Sequence, residues 1–189
     1  QVNNLAVKQL ALIAKEQNTK LIHISTDAVF DGESERPYIE KDLPRPINTY
    51  GKTKYSGEIA IQKIMRTDAL IIRTSWLYSE YGTNFVKTMQ MLCKEKADLK
   101  VVHDQIGSPT FAIDLASAIL EIIKNEDFRE VGRVTQILHY SNIGEISWYE
   151  FAQEILKKSK DCKVLPSETK QLKNKIRRPK FTALDSNKI

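Results

Sequence analysis

Tyr50 and Lys54 stand four residues apart in the stretch "TYGKTK". On an α-helix that spacing puts both side chains on one face, one turn from each other. A phenol is a weak acid, with a pKa near ~10. An ammonium group beside it favours the phenolate, so the pair can exchange a proton with an alcohol or carbonyl oxygen near neutral pH. The spacing alone is equally that of a helix with a solvated lysine. Upstream, the apolar run "KLIHI" ends in Ser25, Thr26 and Asp27 before a turn at "DG". Open α/β sheets bind ligands at the carboxyl ends of their strands. A Thr26 hydroxyl beside the phenol and the ammonium suits carbonyl/alcohol redox chemistry with a nicotinamide.

Those side chains need a scaffold that brings a strand end to the start of a helix. Residues 3–18 read as an amphipathic helix, with apolar positions at Leu5, Leu10, Leu12 and Ile13. "KLIHIST" reads as a buried strand, and residues 31–48, with three prolines and many charges, as a loop. Helix 49–65 follows, then a strand "ALIIRTSWLY", helix 84–96, a strand 99–105 and helix 112–125. A last helix opens at Ser147, with Glu150 three residues on in the capping-box pattern. Strands alternating with helices predict an α/β fold with a Rossmann-like, doubly wound parallel sheet.

The totals bound the function. The chain has 189 residues, 41% hydrophobic and 28% charged, the balance of a globular domain with a core. No apolar run approaches the ~20 residues of a membrane span, and no signal peptide is recognised, so no membrane partner is expected. Cys93 and Cys162 form no CxxC pair and read as two lone cysteines in a reducing compartment, which predicts a cytoplasmic location. His23, His103 and His139 are scattered and read as strand residues, so no metal site is expected. From Lys157 onward the chain carries 11 Lys/Arg against 3 Asp/Glu. Aromatics are not interleaved with "KQLKNKIRRPK" as a nucleic-acid surface would need, so the excess reads as a solvated face and not as a nucleic-acid site. No G-x-G-x-x-G turn occurs among the seven glycines.

Six stretches resemble, in order, the extended short-chain dehydrogenase/reductase family: "ISTDAVFDG", "PYIEKDLPRPINTYGKTKYSGE", "LIIRTSWLYSEYGTNFV", "VVHDQIGSPTF", "SNIGEISWYEFAQEI" and "RRPKFTALDSNKI". Within that family they are similar to the branch acting on dTDP-linked 6-deoxyhexoses. The resemblance implies the second half of an NADP-binding Rossmann domain over residues 1–103. Residues 104–189 would then be mainly a smaller substrate-binding subdomain, with segments returning to the Rossmann domain, and the family's Gly-rich turn would lie upstream. It also implies hydride transfer from NADPH, with NADH as the alternative, to the 4-keto carbon of dTDP-4-dehydrorhamnose, giving dTDP-L-rhamnose. A homodimer and a Mg2+ ion are compatible with it, though neither is legible in these residues.

The same resemblance makes Thr26, Tyr50 and Lys54 the catalytic trio. Tyr50 would donate the proton, Lys54 would stabilise the phenolate and hold the cofactor ribose, and Thr26 would orient the sugar oxygen. Ser25 would join Tyr50 and Lys54 on the cofactor side. Asp27 and Trp76 would contact the sugar; Gln105, Ser108 and Thr110 would reach the nucleotide; Arg178 would meet a phosphate, where its fork matches the oxygens. From the residues alone Trp76 is equally a core residue at a strand end, and "GSPT" equally a turn. Ala28 departs from the family, which usually has an aromatic there. Two other readings stay open: a non-catalytic regulatory subunit, as in methionine adenosyltransferase, or a reductase or epimerase of another nucleotide sugar.

Overall fold

The computed structural model describes residues 1–124, 135–159, 162–171 and 176–189. The last residue of the expected helix 112–125, and part of the basic stretch at 172–175, lie outside them. A π-helical turn, Val2–Ala6, runs into helix α1, Val7–Glu16. Strand β1, Leu21–Thr26, follows, and then a long loop that ends at helix α2, Thr49–Met65. Next come β2 (Ala69–Thr74), β3 (Leu77–Tyr78), α3 (Phe85–Glu95) and β4 (Asp98–Val102). After them lie β5 (Ile106–Gly107), β6 (Thr110–Phe111), α4 (Ala112–Lys124) and β7 (Gln136–His139). The chain continues through β8 (Ile146–Ser147), α5 (Trp148–Leu156) and β9 (Lys163–Ser167).

The main sheet is parallel, in the order β1-β2-β7, with Thr26 opposite Thr74 and Arg73 opposite His139. Its centre, β2, is buried at every position. Alternation sends Ala69 and Ile71 toward Val7, Ala11, Ile61 and Met65 of α1 and α2, whereas Leu70 and Ile72 pack with Leu115 of α4. Helices therefore cover both faces, as a parallel sheet requires. Strand β7 and strand β9 were not expected from the sequence.

A second core joins α3, β4, α5 and β9 through Met89, Leu99, Val101, Ala152 and Leu156. Here β4 and β9 pair in parallel. That pairing corrects the reading of the cysteines. Cys93 on α3 and Cys162, one residue before β9, are 5.3 Å apart at Cα and disulfide-bonded. They are not lone cysteines, and the compartment argument built on them falls away. Among the described residues no helix is long and apolar enough to cross a membrane.

The single expected strand 69–78 is also broken. Chain direction changes at Trp76, whose φ of +46° lies in the left-handed region. That conformation costs a non-glycine residue roughly 1–2 kcal/mol. Beyond the break, Leu77 and Tyr78 pair with Thr110 and Phe111, away from the main sheet.

Candidate active site

The carboxyl end of β1 is stitched to α2 by two side chains one helical turn apart. Lys54 Nζ donates to the Ile24 carbonyl at 2.6 Å. Glu58, fully buried, accepts from the Ser25 hydroxyl. Glu58 also holds Arg73 in a fork, Nε to Oε1 at 3.0 Å and Nη2 to Oε2 at 2.7 Å. Both charges are buried, and the guanidinium lies 5.2 Å from the centre of the Phe30 ring. The start of α2 is pressed on the strand end as well. A Cβ at Gly51 would sit 2.0 Å from the Ala28 carbonyl oxygen, so only glycine lets the helix approach so closely. Asn48 caps α2 by accepting from Gly51 N–H at 2.8 Å, and its amide donates to the Arg177 carbonyl at 3.1 Å.

These contacts form a cleft of about 380 Å³ lined by Thr26, Asp27, Ala28 and Tyr50 on one side. Trp76, Gln105 and Trp148 line it further along, and Arg178, Pro179 and Thr182 close it from the C-terminal segment. Tyr50 is 53% exposed. The Thr26 hydroxyl is committed on two sides: it accepts from Ala28 N–H at 3.2 Å and donates to Asp27 Oδ1 at 3.0 Å. Burial raises the Asp27 carboxyl from 3.8 to about 6, against the opposing hydrogen bonds from Thr182, Thr26 and Ala28. Burial also lowers the Lys54 ammonium, and Glu58 works in the other direction. His23 is brought down to about 4 by burial and then by the charge of Lys54.

The far wall is aromatic. Trp76 stacks on Trp148 with ring centroids 3.5 Å apart and an interplanar angle of 7°. The indole also meets Gly107, where a Cβ would come within 2.6 Å of it. Phe85 and Phe151 continue the contact behind Trp148.

Seven of the sequence-predicted residues thus gather here. Thr26, Asp27, Tyr50, Trp76, Gln105 and Arg178 line the cleft, and Lys54 backs it by holding the carboxyl end of β1. Three do not line it. Ser25 gives its hydroxyl to Glu58 behind the strand. Ser108 is buried; its hydroxyl donates to the Gly144 carbonyl at 2.7 Å, and its own carbonyl accepts from Ser75 at 2.5 Å. Thr110 is fully buried, with its N–H directed to the Trp76 carbonyl at 3.3 Å. Ser108 and Thr110 therefore brace the Trp76 bend. Gln105 is nearly buried too, donating from Nε2 to Thr169 Oγ1 at 2.8 Å. Sequence reading missed Trp148, Glu58 and Arg73. For Glu58 a signal was present, since it stands four residues beyond Lys54 on the same helical face. Ala28 leaves a methyl group at the cleft edge. Among the described residues no group of three or more His, Cys, Asp or Glu side chains is arranged to hold a metal ion.

A parallel sheet flanked by helices, with a Tyr/Lys helix starting over the carboxyl end of one strand, defines a chain of the Rossmann type. The profile of the RmlD substrate binding domain matches residues 1–189, and the chain belongs to that family. Among relatives, it is 39% identical to the spore coat polysaccharide biosynthesis protein SpsK of Bacillus subtilis, over 100% of this chain and 64% of that protein. It is 39% identical to the dTDP-4-dehydrorhamnose reductase of Aggregatibacter actinomycetemcomitans, over 100% of this chain and 66% of that protein. A crystal structure of dTDP-4-dehydrorhamnose reductase from Bacillus anthracis, in complex with NADP, superposes with a TM-score of 0.89 at 38% identity, covering 98% of this chain and 64% of that one. The chain thus spans about two thirds of the length of these relatives.

Proposed function

We propose that this chain carries the proton-transfer and sugar-binding part of a reductase that converts dTDP-4-dehydrorhamnose to dTDP-L-rhamnose with NADPH. The observation that carries the reading is the meeting of Thr26, Tyr50 and Trp76 in one cleft at the carboxyl end of the sheet, with Lys54 behind them. The relatives named as dTDP-4-dehydrorhamnose reductases, one of them with NADP bound, support the choice of substrate and cofactor. Residues 1–103 would serve mainly the cofactor and residues 104–189 mainly the sugar, with β7 returning to the first sheet and α3 and β4 packing with the second core.

A nicotinamide, when bound, supplies the hydride. The residues present fit such a group, because the Lys54 ammonium has three N–H donors and uses one on Ile24, leaving two for ribose hydroxyls. Tyr50, exposed at the cleft, gives its proton to the oxygen at carbon 4 of the sugar, and the Lys54 charge favours the negative charge that develops on the phenol oxygen. Thr26 donates to Asp27 and accepts from Ala28, so its remaining lone pair is free to accept from a sugar hydroxyl. The ring of Trp76 offers an apolar shelf to the C–H face of a 6-deoxy sugar, and Arg178 a guanidinium fork to the diphosphate.

The test is Tyr50→Phe in the natural gene product. NADPH oxidation with dTDP-4-dehydrorhamnose is expected to fall roughly 100- to 10,000-fold, the range for a positioned general acid, with the melting temperature unchanged. Activity within about threefold of wild type, far below that range, would overturn the assignment.

A further inference from the structure

We propose that Trp148 is a positioning residue of the cleft, holding Trp76 in the orientation that receives the sugar; the sugar rests on the reading above. Trp76 occupies a backbone conformation that an L-residue does not take by preference, so something outside its own dihedral angles must hold it. Two surfaces do. Gly107 packs so closely on the indole that a Cβ there would come within 2.6 Å of it, and the Trp148 ring stacks on it with centroids 3.5 Å apart. Without both, the indole is free to rotate into the cleft or away from it.

Trp148 is itself anchored from three directions. It is the first residue of α5, immediately after the Ser147 cap, and the Ser147–Glu150 capping box fixes the turn it starts. Its backbone N–H donates to the Gln105 carbonyl at 3.3 Å, linking it to another lining residue. Its ring meets Phe85, with centroids 4.4 Å apart, so α3 backs it. The stack thus carries the rigidity of the second core, built by α3 and α5, to a side chain set on the bend after β2. Trp148 reaches the wall of the cleft, but its effect on the sugar passes through Trp76.

Trp76 and Trp148 are the two tryptophans of the chain, which makes the test direct. In Trp148→Phe and in Trp148→Leu the remaining emission comes from Trp76 alone. Acrylamide quenching of Trp76 is expected to be stronger in Trp148→Leu than in Trp148→Phe, because leucine cannot stack. The KM for dTDP-4-dehydrorhamnose is expected to rise roughly 2- to 12-fold in Trp148→Leu with kcat unchanged, and to return toward wild type in Trp148→Phe, the range that an aromatic pair is worth. Equal quenching of Trp76 in the two variants would overturn the proposal. So would a mobile Trp76 in Trp148→Leu with the KM of Trp148→Phe. If wild type reduces no dTDP-4-dehydrorhamnose, the functional reading falls, while the quenching comparison still decides whether Trp148 holds Trp76.

Discussion

One wall of the cleft, Thr26 and Asp27 with the start of α2, is backed by hydrogen bonds and a buried ion pair; the opposite wall, Trp76 and Trp148, is held by stacked rings and shape. The polar wall fixes directions. Its bonds have set directions at 2.6–3.2 Å, as in Lys54 to Ile24, Arg73 to Glu58 and Thr26 to Asp27. The aromatic wall fixes a surface, with no hydrogen bond between its two rings. Proton transfer depends on direction at the scale of a hydrogen bond, and recognition of the sugar's apolar face depends on area. Loss of a partner in the first wall leaves a charge stranded, whereas loss of one in the second leaves a gap that neighbours can fill. The two walls are therefore expected to fail differently.

The largest effect on stability is expected from Glu58→Gln. It leaves Arg73 as a buried cation without its counter-charge, which costs about 3–5 kcal/mol. A native domain has only about 5–15 kcal/mol to lose, so the urea midpoint is expected to drop steeply. Arg73→Met in the same chain is expected to restore part of the loss, since an apolar replacement of a buried pair is often neutral. A single variant as stable as wild type would show that the polar wall does not depend on the pair.

Next comes Asp27. Its folded pKa of about 6 exceeds the ordinary 3.8, so the folded state holds the proton more tightly than the unfolded chain. Stability from this group is present below pH 3.8 and is lost as pH rises through 6. Above that window the ionised carboxylate costs about 3 kcal/mol. Asp27→Asn is therefore expected to be more stable than wild type at pH 7.5, with the difference shrinking as pH falls below 6. Thermal denaturation of both proteins across that window is the measurement, and a gap that widens toward acid would contradict it.

The smallest effect is expected on the aromatic side. Gly107→Ala places a methyl group 2.6 Å from the Trp76 ring, and overpacking of this kind costs about 1–3 kcal/mol. The expected signature is a raised KM with kcat kept, as the indole shifts along its stack. A wild-type KM together with an unchanged melting temperature would mean that the ring has room, and that the wall is softer than its spacing suggests.

Much of this arrangement was legible in the sequence. Helix α2, which carries Tyr50 and Lys54 four residues apart, was legible, and the Ser147–Glu150 box appears as expected. Thr26 and Asp27 stand where a buried run turns polar. Other features obey no local signal. Pro166 argues against a strand, yet β9 pairs with β4 alone, and an edge strand tolerates a residue without an N–H. Strand β7 is only four residues long, too short for its pattern to stand out. The bend at Trp76 has no glycine or proline to mark it, and the stack that holds it comes from a helix far along the chain. Arg73 and Glu58 look like surface charges until each is seen to neutralise the other. Ser108 has the polarity of a ligand contact, but its hydroxyl donates to a carbonyl of the fold, and Thr110 is held there through its backbone N–H.

Tyr38 exchanges backbone hydrogen bonds with the chain near Leu184: its N–H donates to Ala183, and its carbonyl accepts from Asp185, both at 2.9 Å. A ribosome releases the chain from its N-terminal side, so Tyr38 and the ring of Phe30 stacked on it emerge long before their last partner. Joining segments so distant costs loop entropy that local contacts do not offset until the end. The helix that carries Tyr50 can thus form early, while the roof of the cleft, from Arg178 to Thr182 and next to Leu184, is added last. During that interval the Phe30–Tyr38 stack lacks the backbone pairing that the chain around Leu184 brings.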